Sequence, residues 1–191
     1  MFTGIIQAIG SVERIDGKRF GFRWPDFHRP YEVGESIAVD GCCLTVVAMT
    51  EDVFYVDVVD ETIDRTIIST YSVGDKVNLE AAMAVGDSFG GHFVLGHIDT
   101  TGRVVTVGDR FKVEFDSNYS KFVVEKGSIA ISGTSLTIAS CQDGYVEIAL
   151  IPHTKEVTTL GIRNIGDLVN LEFDTISKQV VKVAEAQFGQ R

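Results

Sequence analysis

Ser36–Thr45 reads SIAVDGCCLT, and Ser128–Thr137 reads SIAISGTSLT. The second stretch starts 92 positions after the first (128 − 36). Working outward, GDKVNLE at Gly74–Glu80 returns as GDLVNLE at Gly166–Glu172 in the same register. Glu61-Thr62 ahead of Thr66 returns as His153-Thr154 ahead of Thr158, and Gly4, Gly10 and Val12 return as Gly96, Gly102 and Val104. Separated matches in one register mark a duplicated unit. A period this long is that of a small domain rather than of a solenoid repeat.

Each copy reads as β-rich. In the first, Thr3–Ile15, Phe20–Trp24, Ser36–Val39, Leu44–Met49, Val53–Val59 and Lys76–Leu79 carry strand patterns, with Gly, Asp and Asn between many of them. Six short strands per copy predict an all-β protein of two tandem closed barrels, since closure removes exposed sheet edges. Helices should be short: Asp60–Ser69 and Asn118–Glu125 are candidates, and Pro25 ahead of His28 suggests a further helix or turn. The C-terminus breaks the repeat. Ile176, Val180, Val183 and Gln187 fall on one helical face, with Lys178, Lys182 and Glu185 on others. Such a helix packs either on its own barrel or against copies of itself. The expected division is an N-terminal barrel over 1–88, a C-terminal barrel over 89–175 and a helix over 176–191.

Composition narrows the function. Of 191 residues 45% are hydrophobic and 23% charged, the balance of a folded soluble protein. The formal net charge of −10 argues against nucleic acid as a partner, because phosphate binding needs clustered Lys and Arg. No apolar run reaches the ~18 residues of a membrane span, and MFTGIIQAIG lacks the basic start of a signal peptide. Cys42, Cys43 and Cys141 are odd in number, with two adjacent, a poor disulfide framework that fits a reducing, cytoplasmic setting.

The motifs also carry candidate chemistry. His92 and His97 in GGHFVLGH are five apart, so they share neither a helical nor a strand face and form no evident chelate. Structural histidines are the plainer reading. Alternation puts Cys43 with Thr45 on one strand face, and Ser135 with Thr137 on another. Two related barrels suggest two related pockets for two similar ligands, and the Cys43/Ser135 difference suggests that the ligands have unequal fates. A thiol is the stronger nucleophile near neutrality, which makes Cys43 the candidate to add to an electrophilic ring carbon.

MFTGII, SIAVDGCCLTV, GGHFVLGH, KGSIAISGTSLT, the His153–Gly161 segment and GDxVNLE together, in order along almost the whole chain, resemble the riboflavin synthase family of duplicated lumazine-binding barrels. The resemblance implies two six-stranded Greek-key barrels with a C-terminal helix, assembled as a homotrimer with the active site between subunits. It implies conversion of two 6,7-dimethyl-8-ribityllumazine molecules into riboflavin and a pyrimidine, with no cofactor and no metal, and association with lumazine synthase. Carried over by position, Cys43, His97, Ser135, Thr137 and Asp174 are the expected catalytic group. Gly4, Ser36, Thr45, Val59, Glu61, Thr62, Gly96, Lys126, Ser132, Ile151, His153 and Thr154 are expected to line the substrate, with His92 beside the site. The chain departs from the family pattern at Ser132, where Asp is usual, at Asp40, where Asn is common, and at Leu95, where a small or polar residue is common. The alternative within the same resemblance is a non-catalytic antenna protein that binds lumazine or flavin.

Overall fold

The computed structural model describes residues 1–25 and 32–188, so the turn expected near His28 lies outside the described residues. The duplication is visible at once. Strands β1 (Ala8–Asp16), β2 (Arg19–Arg23), β3 (Ser36–Val39), β4 (Cys42–Met49), β5 (Val53–Asp57) and β6 (Lys76–Ala81) close in the order β1-β2-β5-β4-β3-β6. Strands β7 (Thr100–Thr106), β8 (Arg110–Glu114), β9 (Ser128–Ile131), β10 (Thr134–Gln142), β11 (Tyr145–Ala149) and β12 (Leu168–Phe173) repeat that order in a second closed barrel. In each, the second-to-third and fifth-to-sixth strand connections skip neighbours, which is the Greek-key crossover. Even the ladder irregularities repeat: the shifts at Val12/Arg14 and Val46/Ala48 recur at Val104/Thr106 and Ile138/Ser140. Such bulges sharpen strand curvature, as a small barrel requires.

Two separate apolar cores fill the barrels. Phe22, Trp24, Ile37, Val46, Phe54 and Leu79 are buried in the first, and Phe111, Ile129, Ile138, Ile148, Leu171 and Phe173 in the second. Cys42 joins the first core, where burial pushes its thiol up to about 12, so it acts as a small apolar side chain. A third, small cluster of Phe2, Ala38, Val94 and Ala130 lies between the barrels, with Cys43 packed against it.

The helices are shorter than the sequence patterns suggested. Asp60–Ser69 divides into α1 (Asp60–Arg65) and a 3₁₀ turn at Ile67–Thr70, because the chain becomes extended at Thr66. The Thr66 side chain caps the new turn by accepting from the Ile68 N–H. Asn118–Glu125 is a 3₁₀ turn over Ser117–Phe122. Helix α2 (Pro152–Val157) repeats α1, and α3 (Thr175–Phe188) ends the described chain.

The barrels are joined by paired clasps. Asn78 and Asn170 are buried and each reaches into the opposite barrel. Asn78 Nδ2 donates to the Ser132 carbonyl at 2.8 Å, and its Oδ1 accepts from the Thr159 N–H at 2.7 Å. Asn170 Nδ2 donates to the Asp40 carbonyl at 2.9 Å, and its Oδ1 accepts from the Ile67 N–H at 2.9 Å. Two hairpin tips meet between these clasps. Asp40-Gly41 and Ser132-Gly133 have φ of 42° and 80°, and of 42° and 78°, so each is a two-residue turn with both residues left-handed. A Cβ at Gly41 would lie 2.6 Å from the Gly133 nitrogen, so the contact admits only glycine.

Candidate active site

Two short segments cross from one barrel to the other. Phe2 and Val94 exchange backbone hydrogen bonds, 2.8 and 3.2 Å. On one side of that pair, Gly4 O accepts from the Ser135 N–H at 2.8 Å; on the other, Gly96 O accepts from the Cys43 N–H at 2.9 Å. The two contacts are repeat equivalents. Each barrel's β-hairpin, bearing Cys43 or Ser135, is therefore covered by a segment belonging to the other repeat. Gly96 fits so closely that an added Cβ would sit 2.4 Å from Cys43 Cβ.

The first barrel carries a cavity of about 280 Å³ lined by Cys42, Cys43, Glu61, Thr62, Arg65, Thr66, Gly96, His97 and Ile98. That is close to the lower bound of ~300 Å³ for small-molecule sites. Cys43 is half-buried at its wall because β4 alternates, sending Cys42 and Leu44 inward. Helix α1 supplies Glu61, Thr62 and Arg65, and Arg65 Nε holds Glu61 at 2.8 Å. His97 is exposed at the mouth, delivered by the crossing segment. The cavity thus offers a thiol, an imidazole, a hydroxyl and an ion pair, enough to bind and polarise a heterocycle.

On the second barrel, Ser135 takes the place of Cys43, and Gly4 that of Gly96. His92 Nδ1 lies 2.7 Å from Ser135 Oγ, an interaction whose proton direction depends on the histidine tautomer. Burial holds the His92 imidazole below its usual range, with the Asp174 carboxylate opposing the shift. Its Nε2 is buried without a partner among the described residues. His92 is therefore a neutral ring near neutrality, set between a hydroxyl and a carboxylate. Asp174 also accepts from the Ile176 N–H at 2.9 Å, capping α3.

Of the residues singled out in the sequence, Cys43, Glu61, Thr62, Gly96 and His97 share the first cavity. Val59 is exposed where α1 begins. Ser36 and Thr45 pair across β3 and β4 on the Cys43 side of the hairpin. Gly4 and Ser135 meet in the second barrel, with Thr137 exposed further along β10. Ile151, His153 and Thr154 open α2, the counterpart of α1. Lys126 is exposed in a left-handed turn, φ 65°, ahead of β9. Ser132 lies apart from both groups, fully buried at its hairpin tip. The sequence reading passed over Arg65, visible as Glu61's i+4 neighbour, and the two glutamates of the GDxVNLE motifs. Glu80 accepts from Thr3 N at 2.7 Å and Gly4 N at 3.0 Å, while Glu172 accepts from Leu95, Gly96 and His97 N at 2.7, 2.9 and 3.2 Å.

Fold and site define a tandem-duplicated barrel protein in which a segment of each repeat covers a hairpin of the other. The lumazine binding domain family matches residues 3–82 and again 95–174, the duplication seen in the structure. Riboflavin synthase of Mycobacterium tuberculosis (strain ATCC 25618 / H37Rv) is 40% identical over 196 residues, covering 96% of this chain and 98% of that one. Riboflavin synthase of Bacillus subtilis (strain 168) is 39% identical over 193 residues, covering 95% and 89%. The crystal structure of LumP complexed with riboflavin superposes with a TM-score of 0.83 at 31% identity, over 91% of this chain and 99% of that one. LumP complexed with 6,7-dimethyl-8-(1'-D-ribityl) lumazine gives 0.77 at 32% identity, over 90% and 98%. The chain belongs to the riboflavin synthase family of enzymes, built from two lumazine-binding repeats.

Proposed function

We propose that this chain catalyses the dismutation of two 6,7-dimethyl-8-ribityllumazine molecules, giving riboflavin and 5-amino-6-ribitylaminopyrimidinedione by transfer of a four-carbon unit, the final step of riboflavin biosynthesis. The observation that carries the reading is the paired hairpin: Cys43 under Gly96 in one barrel, Ser135 under Gly4 in the other. Two equivalent hairpins that differ in nucleophile suit two copies of one substrate with different fates. The N-terminal site is assigned Ser36, Cys43, Thr45, Val59, Glu61, Thr62, Gly96 and His97. The C-terminal site is assigned Gly4, Lys126, Ser135, Thr137, Ile151, His153, Thr154 and Asp174, whereas Ser132, fully buried against the first barrel, is left out.

In this reading the half-buried Cys43 thiol adds to one lumazine ring, and His97 moves the proton of the acidic ring methyl at the cavity mouth. His92, neutral and bonded to Ser135, supports the second ring. Two rings must meet face to face, and such positioning can contribute about 7–11 kcal/mol. The meeting requires pockets of neighbouring subunits in a homotrimer. The exposed stripe of Ile176, Val180 and Val183, 57%, 62% and 56% accessible, supports an assembly built on α3. Domain limits of 1–88, 89–175 and 176–191 and a cytoplasmic setting belong to the same proposal; among the described residues no helix is long and apolar enough to cross a membrane.

The likeness to LumP favours one second reading, a binder that holds lumazine or flavin without turning it over. Purified protein is mixed with the lumazine and riboflavin fluorescence is followed. Steady formation of riboflavin with the pyrimidine in equal amount is expected. Tight binding without product would transfer the chain to the second reading.

A further inference from the structure

The GDxVNLE motif occurs twice, yet neither of its glutamates belongs to the chemistry assigned above. Both are buried, Glu80 at 3% and Glu172 at 1% exposure, on β6 and β12. A buried carboxylate is costly unless its oxygens are filled. Here they are filled by backbone of the crossing segments. Glu172 gathers three successive N–H groups, those of Leu95, Gly96 and His97. Successive amides converge like this only when the chain turns left-handed, and Gly96 has φ 81°. The same peptide group then presents its carbonyl to Cys43 N. Glu80 repeats the pattern with Thr3 N, Thr3 Oγ1 and Gly4 N, and Gly4, at φ 76°, presents its carbonyl to Ser135 N.

We propose that Glu172 is the positioning residue of the first barrel's pocket and Glu80 that of the second, each acting across the repeat boundary through the segment it grips. Glu172 stands in the second barrel but sets how closely Gly96 lies on Cys43 and where His97 enters the cavity. Only an acceptor-only group can face three donors; an amide turns donors of its own toward them. Asp99 and Lys178 flank Glu172, Cys42 faces it, and His97 belongs to the gripped segment. Burial raises Glu172 to about 7 against the pull of the Leu95 and Gly96 N–H groups. Protonation replaces one acceptor with a donor, so the grip loosens as pH falls through neutrality.

What the positioned groups do to substrate rests on the proposed function; the grip itself is tested without substrate. Glu172→Gln and Glu80→Gln proteins are treated with iodoacetamide, and alkylation of each cysteine is followed by peptide mass spectrometry. E172Q should alkylate Cys43 at least about threefold faster than the parent, with Cys141 unchanged, because access governs thiol reactivity. E80Q, whose altered side chain shares Cys43's own barrel, should leave the Cys43 rate unchanged. The E172Q excess should shrink below pH 7, where the parent's carboxylate is itself protonated. In the turnover assay E172Q should lose about tenfold or more in kcat with little change in KM, as expected for displaced catalytic groups. An unchanged Cys43 rate in E172Q, an equal rise in E80Q, or a parallel rise at Cys141 overturns the proposal. If E172Q does not fold, Glu172→Asp, one methylene shorter, must show the same crossed pattern. A parent that makes no riboflavin but shows this pattern retains the positioning role and loses the proposed reaction.

Discussion

Replacing Gly96 by alanine tests the cover over Cys43 most directly. Two costs can be read from the structure. Gly96 sits at φ 81°, and a left-handed backbone costs an L residue roughly 1–2 kcal/mol. The added Cβ would also lie 2.4 Å from Cys43 Cβ and 2.9 Å from Cys43 N. Ordinary carbon contacts need about 3.5 Å, so the segment must retreat by about 1 Å. The 2.9 Å bond from Cys43 N to Gly96 O then breaks, at about 1 kcal/mol. The loss of stability should total about 2–3 kcal/mol, mostly local to residues 95–97. His97 moves with the segment, and a 1 Å misplacement can cost about 100-fold in turnover. Gly17→Ala is the control: φ is 59° there and nothing lies within 4 Å, so strain acts alone. Initial rates of riboflavin formation and urea unfolding are measured on both proteins. G17A should lose about 1–2 kcal/mol of stability and no turnover. If G96A keeps turnover within about threefold of the parent, a barrier change under about 0.7 kcal/mol, the close approach to Cys43 has no part in the reaction.

Cys43→Ser should lower turnover by far more than lumazine affinity, since a thiol used in the chemical step affects the transition state and not ground-state binding; single-turnover rates beside a ligand titration separate the two, and an unchanged rate makes the thiol a bystander. Val180→Asp charges an exposed position and, if the proposed trimer is built on α3, should lower the sedimentation coefficient toward that of a monomer with unchanged circular dichroism; a coefficient equal to the parent's removes α3 from the proposed assembly. Asn78→Ala strips partners from the buried Ser132 carbonyl and Thr159 N–H, and should lower urea stability by about 2–6 kcal/mol at roughly 1–3 kcal/mol per orphaned group. A loss below 1 kcal/mol would mean that water or a shifted backbone satisfies both groups.

The architecture was legible because duplication repeats every constraint. SIAVDGCC and SIAISGTS mark the same hairpin twice, and strand patterns that are weak singly gain weight in a common register. Local capping was less legible. Nothing in Asp60–Ser69 announces that Thr66 becomes extended and caps a new turn, because the decision is made by burial of Ile67 and Ile68 and by Asn170 accepting from the Ile67 N–H. At the site, periodicity correctly sent His92 and His97 to different places, yet could not say that they serve opposite barrels. Glu80 and Glu172 end readable strand motifs, but nothing in those motifs assigns them a role. Apart from the Thr3 hydroxyl, their hydrogen-bond donors are backbone N–H groups 75 to 77 residues away, and backbone donors leave no trace in side-chain identity.

The crossing segments also set an order of assembly on the ribosome. Residues 2–4 are made more than a hundred residues ahead of the strand they cover, at Ser135. The first barrel can close its own six strands early, yet Cys43 stays uncovered until Gly96 arrives and Glu172 holds it. Domains ordinarily mature in turn from the N-terminus. Here the leading segment is gripped by Glu80 of its own barrel before Ser135 exists, whereas Cys43 waits for both Gly96 and Glu172, so the barrel that is made first has the hairpin that is covered last.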